Sequence, residues 1–201
     1  MFFRPGVDDH GLPHNPLKAI VSPRPIAWVS SLSEDGTANL APYSFFNAFS
    51  DNPMIVAFGA GNGPKDHGKK DSEANIIATG EFVVNIVSAK LGQAMNVSSK
   101  GFPSETSEFE AAGLETAAGE TVAVPRVAEA PAALECKLWQ VLELPGGEYR
   151  MIMGEVTGVF VDDAMIRDGR YDVTLAQHLA RLGYRDYVQV DGVFELTRPD
   201  A

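Results

Sequence analysis

The chain has 201 residues, of which 45% are hydrophobic and 21% charged; its formal net charge is −11 and its isoelectric point about 4.7. That length is enough for one compact domain with a sizeable core, and the acidic balance argues against bulk nucleic-acid binding, which needs a basic face to displace counterions. No stretch of about 18 residues is apolar enough to read as a membrane span, and the single cysteine, Cys136, excludes an intrachain disulfide and a cysteine-cluster metal site.

Residues 1–9 hold no long apolar run and carry Asp8 and Asp9 where a signal peptide would carry bases, so a cytoplasmic address is expected. Residues 1–13 read as an N-terminal extension of one domain that takes in the whole of 1–201. The first strong pattern is a strand over 26–32, a tight turn at Ser33-Glu34-Asp35-Gly36, and a second strand over 37–42. Asp-Gly between two strand-like runs is a strong hairpin signal. A third strand spans 54–59. Residues 59–68, rich in Gly, Pro and Asn, read as a loop.

A short helix follows over 70–80. Asp71 or Ser72 is its expected N-cap, and Gly80 suits the left-handed position after its last turn. Residues 81–87 form a largely β-branched strand. Residues 89–98 read as a second helix with Leu91 and Met95 inward. Residues 99–130 look irregular, with Phe102 and Phe109 as candidate anchors of a loop or short helix. Strands resume over 133–144 and 150–161, with Pro145-Gly146-Gly147 as the hairpin tip. In the first of these, Cys136 reads best as a small buried hydrophobe, less well as a reactive thiol. A third helix is expected over 174–182, capped by Thr174 and stopped at Gly183, and a last strand over 192–196.

The fold class is therefore mostly β with short helices. Hairpin connections favour an antiparallel sheet, and closure into a barrel would remove its edges. Helix and strand do not alternate, and no Gly-x-Gly-x-x-Gly follows a strand, so a Rossmann-type nucleotide site is not expected.

Two segments carry the candidate chemistry. Residues 41–50 set Tyr43, Phe45, Phe46 and Phe49 among small polar groups just past a strand end. They read either as a core-forming turn or as a wall for a planar ring, with Ser44, Asn47 and backbone N–H groups at the ring's edge; pockets for planar cofactors combine apolar faces with a few placed polar groups. The second segment is Lys69-Lys70-Asp71-Ser72-Glu73-Ala74-Asn75. Lys70 and Ser72 lie at a helix N-terminus, where free N–H groups and the dipole favour an anion. Asn75 shares a face with Ser72. The segment reads either as a solvated cap or as a phosphate site formed by Lys70, Ser72, Asn75 and backbone amides, with Asp71 capping the helix or orienting Lys70.

Taken together, Pro23-Arg24-Pro25-Ile26-Ala27-Trp28-Val29-Ser30-Ser31, Asn39-Leu40-Ala41-Pro42, Ser44-Phe45-Phe46-Asn47, Lys70-Asp71-Ser72 with Asn75-Ile76, and Thr79 through Asn85 occur in an order that resembles the flavin reductase-like family. The resemblance runs over about residues 14–198. It implies an FMN-binding, antiparallel closed split β-barrel and a homodimer with FMN, or FAD, near the interface. It further implies that Ser30 and Ser31 line the ribityl chain or ring edge, that Ser44, Phe45, Phe46 and Asn47 meet the isoalloxazine, and that Lys70, Ser72 and Asn75 hold the phosphate, beside Asp71. Arg181, Gly183 and Tyr187 fall where the family closes over its cofactor. The family usually has Thr where this chain has Ser72, which keeps the hydroxyl. Lys65 and His67 fall in a departing loop and receive no role.

The activity implied is NAD(P)H-dependent flavin reduction, with hydride passing from NADH or NADPH to flavin N5 and onward to a partner oxygenase or redox acceptor. The cofactor carries such chemistry, and the protein supplies orientation and field. Two other readings stay open: an FMN-retaining electron carrier of the flavoredoxin kind, and an FMN-binding protein without turnover. His178 is a candidate proton donor but reads better as a surface helical residue. His10, His14 and His67 have no metal-ligand spacing.

Overall fold

A computed structural model describes residues 1–62, 71–103 and 106–199. A one-turn helix, Leu17–Ile20 (α1), leads into two short strands, Arg24–Pro25 (β1) and Ala27–Leu32 (β2). Then come Ala38–Tyr43 (β3), Phe46–Asp51 (β4) and Met54–Gly61 (β5). The helix Asp71–Thr79 (α2) precedes Glu81–Ile86 (β6), and a 3-10 turn at Ala89–Leu91 runs into Gly92–Val97 (α3). Glu108–Ala111 (α4), Thr116–Ala117 (β7) and Arg126–Val127 (β8) punctuate the segment that the sequence leaves irregular. Two long strands, Ala132–Glu143 (β9) and Tyr149–Val161 (β10), form the central hairpin. The chain finishes with Ile166–Arg167 (β11), Arg170–Tyr171 (β12), Val173–Ala176 (α5), Leu179–Arg181 (β13) and Tyr187–Gln189 (β14).

The main sheet has seven antiparallel strands in the order β3-β2-β6-β9-β10-β5-β4. Its two end strands are consecutive in the chain and are joined only by Ser44 and Phe45. The sheet must therefore curl until the end of β3 meets the start of β4, where Gly59 of β5 donates its N–H to the Phe45 carbonyl at 2.7 Å. The ladder curls without closing: among the described residues no pairing joins β3 to β4, so the closed barrel expected from sequence is not seen in the hydrogen bonds.

Period-2 alternation sends successive side chains of a strand to opposite faces. Ala27 and Val29 face the interior of the curl, with Tyr43, Val56, Phe58, Phe82, Val84 and Ile152. Ile26 and Trp28 face outward and are covered by Leu91 and Met95 of the α3 region and Phe109 of α4. Burial on both faces is why residues 26–29 read as an unbroken apolar run. Cys136 is fully buried in the interior, which suits the hydrophobe reading, and burial pushes its thiol well above the ordinary value. Gly154 on β10 faces Phe82: a Cβ there would lie 2.3 Å from the Phe82 ring, so only glycine fits.

Polar residues tie the outer layers on. Asn85, fully buried, donates to the Trp28 carbonyl at 2.9 Å and accepts from Val127 N–H at 2.8 Å. Glu108 accepts from Asn39 Nδ2 and Leu40 N–H, fixing α4 to β3. Glu135 accepts from Glu120 N–H, Thr121 N–H and the Thr121 hydroxyl. Burial works to raise the Glu135 pKa, but those donors prevail and hold it below the ordinary value.

The helix expected over 174–182 stops after one turn. Asp172, not Thr174, is its N-cap, accepting from Thr174 and Leu175 N–H. Gln177 turns left-handed at φ +46°, and the chain continues as β13. Here pairing overrides helix propensity: Leu179 N–H donates to Val87 O, and Ala180 and Arg181 pair with Pro25 and Arg24. Gly183, read as a helix stop, instead lies in the turn before β14. A Cβ there would lie 2.5 Å from Ala19 Cβ, so this glycine lets α1 dock on the β13–β14 hairpin. The strand expected over 192–196 does not form; the final strand is β14, and Val193, Phe194 and Leu196 are exposed. Phe46, read within a turn, opens β4. No helix of the described residues is long and apolar enough to cross a membrane.

Candidate functional site

Two clefts open where the sheet turns its corner, and Pro42 and Ser44 line both. The narrower has a volume of about 470 Å³. Phe45 and Tyr149 stand 5.9 Å apart, ring centre to ring centre, in its wall, with Tyr43, Asn62 and Lys18 beside them. Gly59 and Gly61 set that wall: a Cβ at Gly59 would meet Phe45 Cβ at 3.2 Å, and one at Gly61 would meet the Tyr149 ring at 3.0 Å. Both rings therefore lie against bare backbone. Lys18 Nζ and the Arg24 guanidinium stand 5.8 and 5.9 Å from the centre of the Phe45 ring. Burial pushes the Tyr43 phenol up to about 12, so it stays protonated at neutral pH.

Behind this cleft, Arg150 of β10 pairs with the fully buried Glu73 of α2 and donates through Nη2 to Asn62 Oδ1 at 3.2 Å. This ties α2 to the end of β5.

The wider cleft, about 780 Å³, lies on the other side of Ser44. Gln93, Asn96 and Ser99 of the α3 region form one wall. Leu179, Arg181, Arg185 and Tyr187 of the β13–β14 hairpin form another, and among the described residues no carboxylate lines the cleft. Arg181 is held in place: it donates to the Tyr187 hydroxyl and the Tyr184 carbonyl, and its guanidinium stands 4.4 Å from the Tyr187 ring centre. Both volumes fall in the range of small-molecule sites, roughly 300–1,000 Å³.

At the N-terminus of α2 lies a small cavity of about 60 Å³, lined in part by Asn39, Asp71, Asn75 and Glu108. Ser72 is buried, with its hydroxyl donating to Asn39 Oδ1 at 2.6 Å; Asn75 donates to Ser31 Oγ at 3.2 Å. These hydroxyl and amide groups thus point to the sheet. Burial raises the Glu108 pKa.

Of the residues singled out in the sequence, Ser44 and Phe45 line the narrower cleft, and Ser44, Arg181 and Tyr187 meet in the wider one. Asp71 and Asn75 come together at the small cavity. Ser30 is fully buried, donating to Pro125 O at 2.6 Å and accepting from Asn85, and Ser31 is fully buried beside Asn75. Neither lines a cleft. Phe46 packs on the interior core, and Asn47 is exposed on β4. Lys70, with Lys65 and His67, lies outside the described residues. His178 lies beyond α5 and is half-buried rather than on a helix surface; it bonds Tyr171 Oη at 2.7 Å, lines neither of the two clefts, and burial lowers its pKa.

Gln93 and Asn96 lie three residues apart on a helix whose inward face is already read, so their shared outward face was available as a signal. Arg185 and Tyr149 carry no such signal, because only the folded hairpins bring them to the clefts.

A curled antiparallel sheet thus carries an aromatic slot and a wider polar cleft that share Pro42 and Ser44. Residues 21–177 match the model of the flavin reductase like domain, and the chain belongs to that family. It is similar to nitrilotriacetate monooxygenase component B from Bacillus cereus, with 30% identity, a TM-score of 0.89 and 98% of each chain covered. It is also similar to the 2-nitrobenzoate 2-nitroreductase of Pseudomonas fluorescens, with 33% identity, a TM-score of 0.81, and 92% of this chain and 89% of that one covered. A split-barrel protein from Shewanella frigidimarina shares the fold at 23% identity, with a TM-score of 0.80 and coverage of 91% and 90%.

Proposed function

We propose that the chain binds FMN, with FAD as a possible substitute, at the corner formed by Ser44 and Phe45, and acts as an NAD(P)H-dependent flavin reductase. The observation that carries this reading is the sharing of Pro42 and Ser44 by an aromatic slot and a wider polar cleft, because hydride transfer requires two ligands in contact. FMN would supply acceptance of hydride at N5 from NADH or NADPH and delivery of the electrons to an oxygenase or other acceptor.

The residues present fit such a group. Phe45 and Tyr149 offer apolar faces, and Ser44 and Asn62 offer polar atoms at the edge. The N-terminal turn of α2, which Lys70 precedes in the sequence, is the kind of helix end that favours a phosphate. Ser72 and Asn75 support that turn by bonding Asn39 and Ser31. Phe49, Met54, Trp139 and Leu142, exposed on β4, β5 and β9, support a homodimer.

The test is anaerobic addition of NADH or NADPH to flavin-loaded protein. Bleaching of the visible flavin band with either nucleotide is expected. A band that stays with both, while dithionite removes it, would overturn the reductase reading.

A further inference from the structure

We propose that the wider cleft selects an organic oxyanion, and that Arg185 is the residue that reads its charge. The inference rests on the reading above in taking this cleft as the side of the second substrate.

Two guanidiniums, those of Arg181 and Arg185, line this cleft in a chain of net charge −11, and a third, that of Arg24, is buried on the strand next to Arg181. Arg24 and Arg181 are partners across β1 and β13, and Arg185 follows in the same hairpin. None of the ion pairs among the described residues involves any of the three. Arg24 is buried and is held by carbonyls alone, those of Lys18, Val21 and Leu182. Arg181 is committed to Tyr187 and the Tyr184 carbonyl. Among the described residues, no carboxylate lines the cleft that Arg181 and Arg185 border. Positive charge left without a protein counterion, at the wall of a cleft, favours a ligand that brings the counterion.

The three arginines do not share the work equally. Arg24 and Arg181 are fastened, so they set the field and hold the hairpin. Arg185 is exposed at the cleft wall and is the one free to form a forked contact with a phosphate or carboxylate. In the same cleft, Gln93 and Asn96 offer amides that can bond a neutral carboxamide or similar group. An oxyanion at one end and a hydrogen-bonding ring at the other describe a nicotinamide nucleotide, or an aromatic acid serving as electron acceptor.

The test uses flavin-loaded Arg185→Gln and Arg185→Lys proteins in two arms. In the first, flavin bleaching is followed with NADPH, NADH and the uncharged 1-benzyl-1,4-dihydronicotinamide. In the second, calorimetry measures binding of benzoate and of its neutral isostere benzamide. Arg185→Gln is expected to weaken the anionic ligand about tenfold in at least one arm, the loss typical of one charge-assisted hydrogen bond. Its neutral counterpart should change less than about twofold, and Arg185→Lys, which keeps the charge but not the fork, should restore part of the loss. Charge-selective loss in the first arm identifies a nucleotide phosphate; in the second, a carboxylate. Equal losses for charged and neutral ligands in both arms, or none, would overturn the proposal. If no donor bleaches the flavin, the reductase reading fails, while the benzoate arm still decides the role of Arg185.

Discussion

Ser72 illustrates what a helix face does and does not specify. Its spacing from Asn75 puts both on one side of α2, and the fold keeps them there, but that side faces the sheet: Ser72 bonds Asn39 and Asn75 bonds Ser31. Periodicity gives a shared face; only the packing decides whether it looks at a ligand or at a neighbour. The phosphate reading therefore makes a split prediction. Lys70→Ala should weaken FMN far more than riboflavin, which lacks the phosphate, by roughly 1.5–3 kcal/mol; parallel fluorescence titrations of the two flavins measure it. Equal losses would place the phosphate elsewhere. Glu135 yields a stability prediction. Its pKa is lowered on folding, so its stabilisation is present above the ordinary glutamate value near ~4.3 and is lost as pH falls through the lower folded value. Glu135→Gln should cost about 1.5–3 kcal/mol at neutral pH, and the gap from the parent should shrink as the solution is acidified below that value. Urea melts across a pH series would show it.

At the scale of elements, the strands of the sheet were the legible part. Asp35-Gly36 marks its hairpin, and the residues around it alternate or run apolar in the way two-sided burial requires. The C-terminal third was less legible for a physical reason. Residues 174–182 have the composition of a helix, but Leu179, Ala180 and Arg181 find partners on Val87, Pro25 and Arg24, far away in sequence. Long-range pairing leaves no local trace, so the β13–β14 hairpin, and with it one wall of the wider cleft, could not be read from spacing. Ser44 and Phe45 were readable as a candidate wall because aromatic and small polar residues sit together there. Their place at the corner of the curl comes only from the strand order. The contact of β10 with β6 is a matching test. Gly154→Ala forces a methyl group into the Phe82 ring and should cost at least about 1–3 kcal/mol, measured by thermal or urea unfolding. A neutral result would mean that the interior is looser than the Phe82 contact indicates.

At the scale of the molecule, the clefts sit at the seam where the sheet's ends meet, and exposed apolar side chains remain on β4, β5 and β9. Phe49 and Trp139 are 59% and 57% exposed, and large apolar side chains left open can seat a second copy of the chain. Sedimentation should report twice the chain mass of 21.6 kDa, and a Phe49→Glu, Trp139→Glu double variant should sediment as the monomer. A parent chain that sediments as a monomer would remove the dimer from the account. The seam itself carries the central claim, that one ring is held where Pro42 and Ser44 divide the two clefts. Titration calorimetry of FMN into flavin-free protein tests it most directly, with the parent chain compared against Ser44→Trp, which fills the shared wall. The account predicts one FMN per chain for the parent and loss of binding in Ser44→Trp, with its unfolding temperature kept. Unchanged FMN affinity in the folded variant would contradict it.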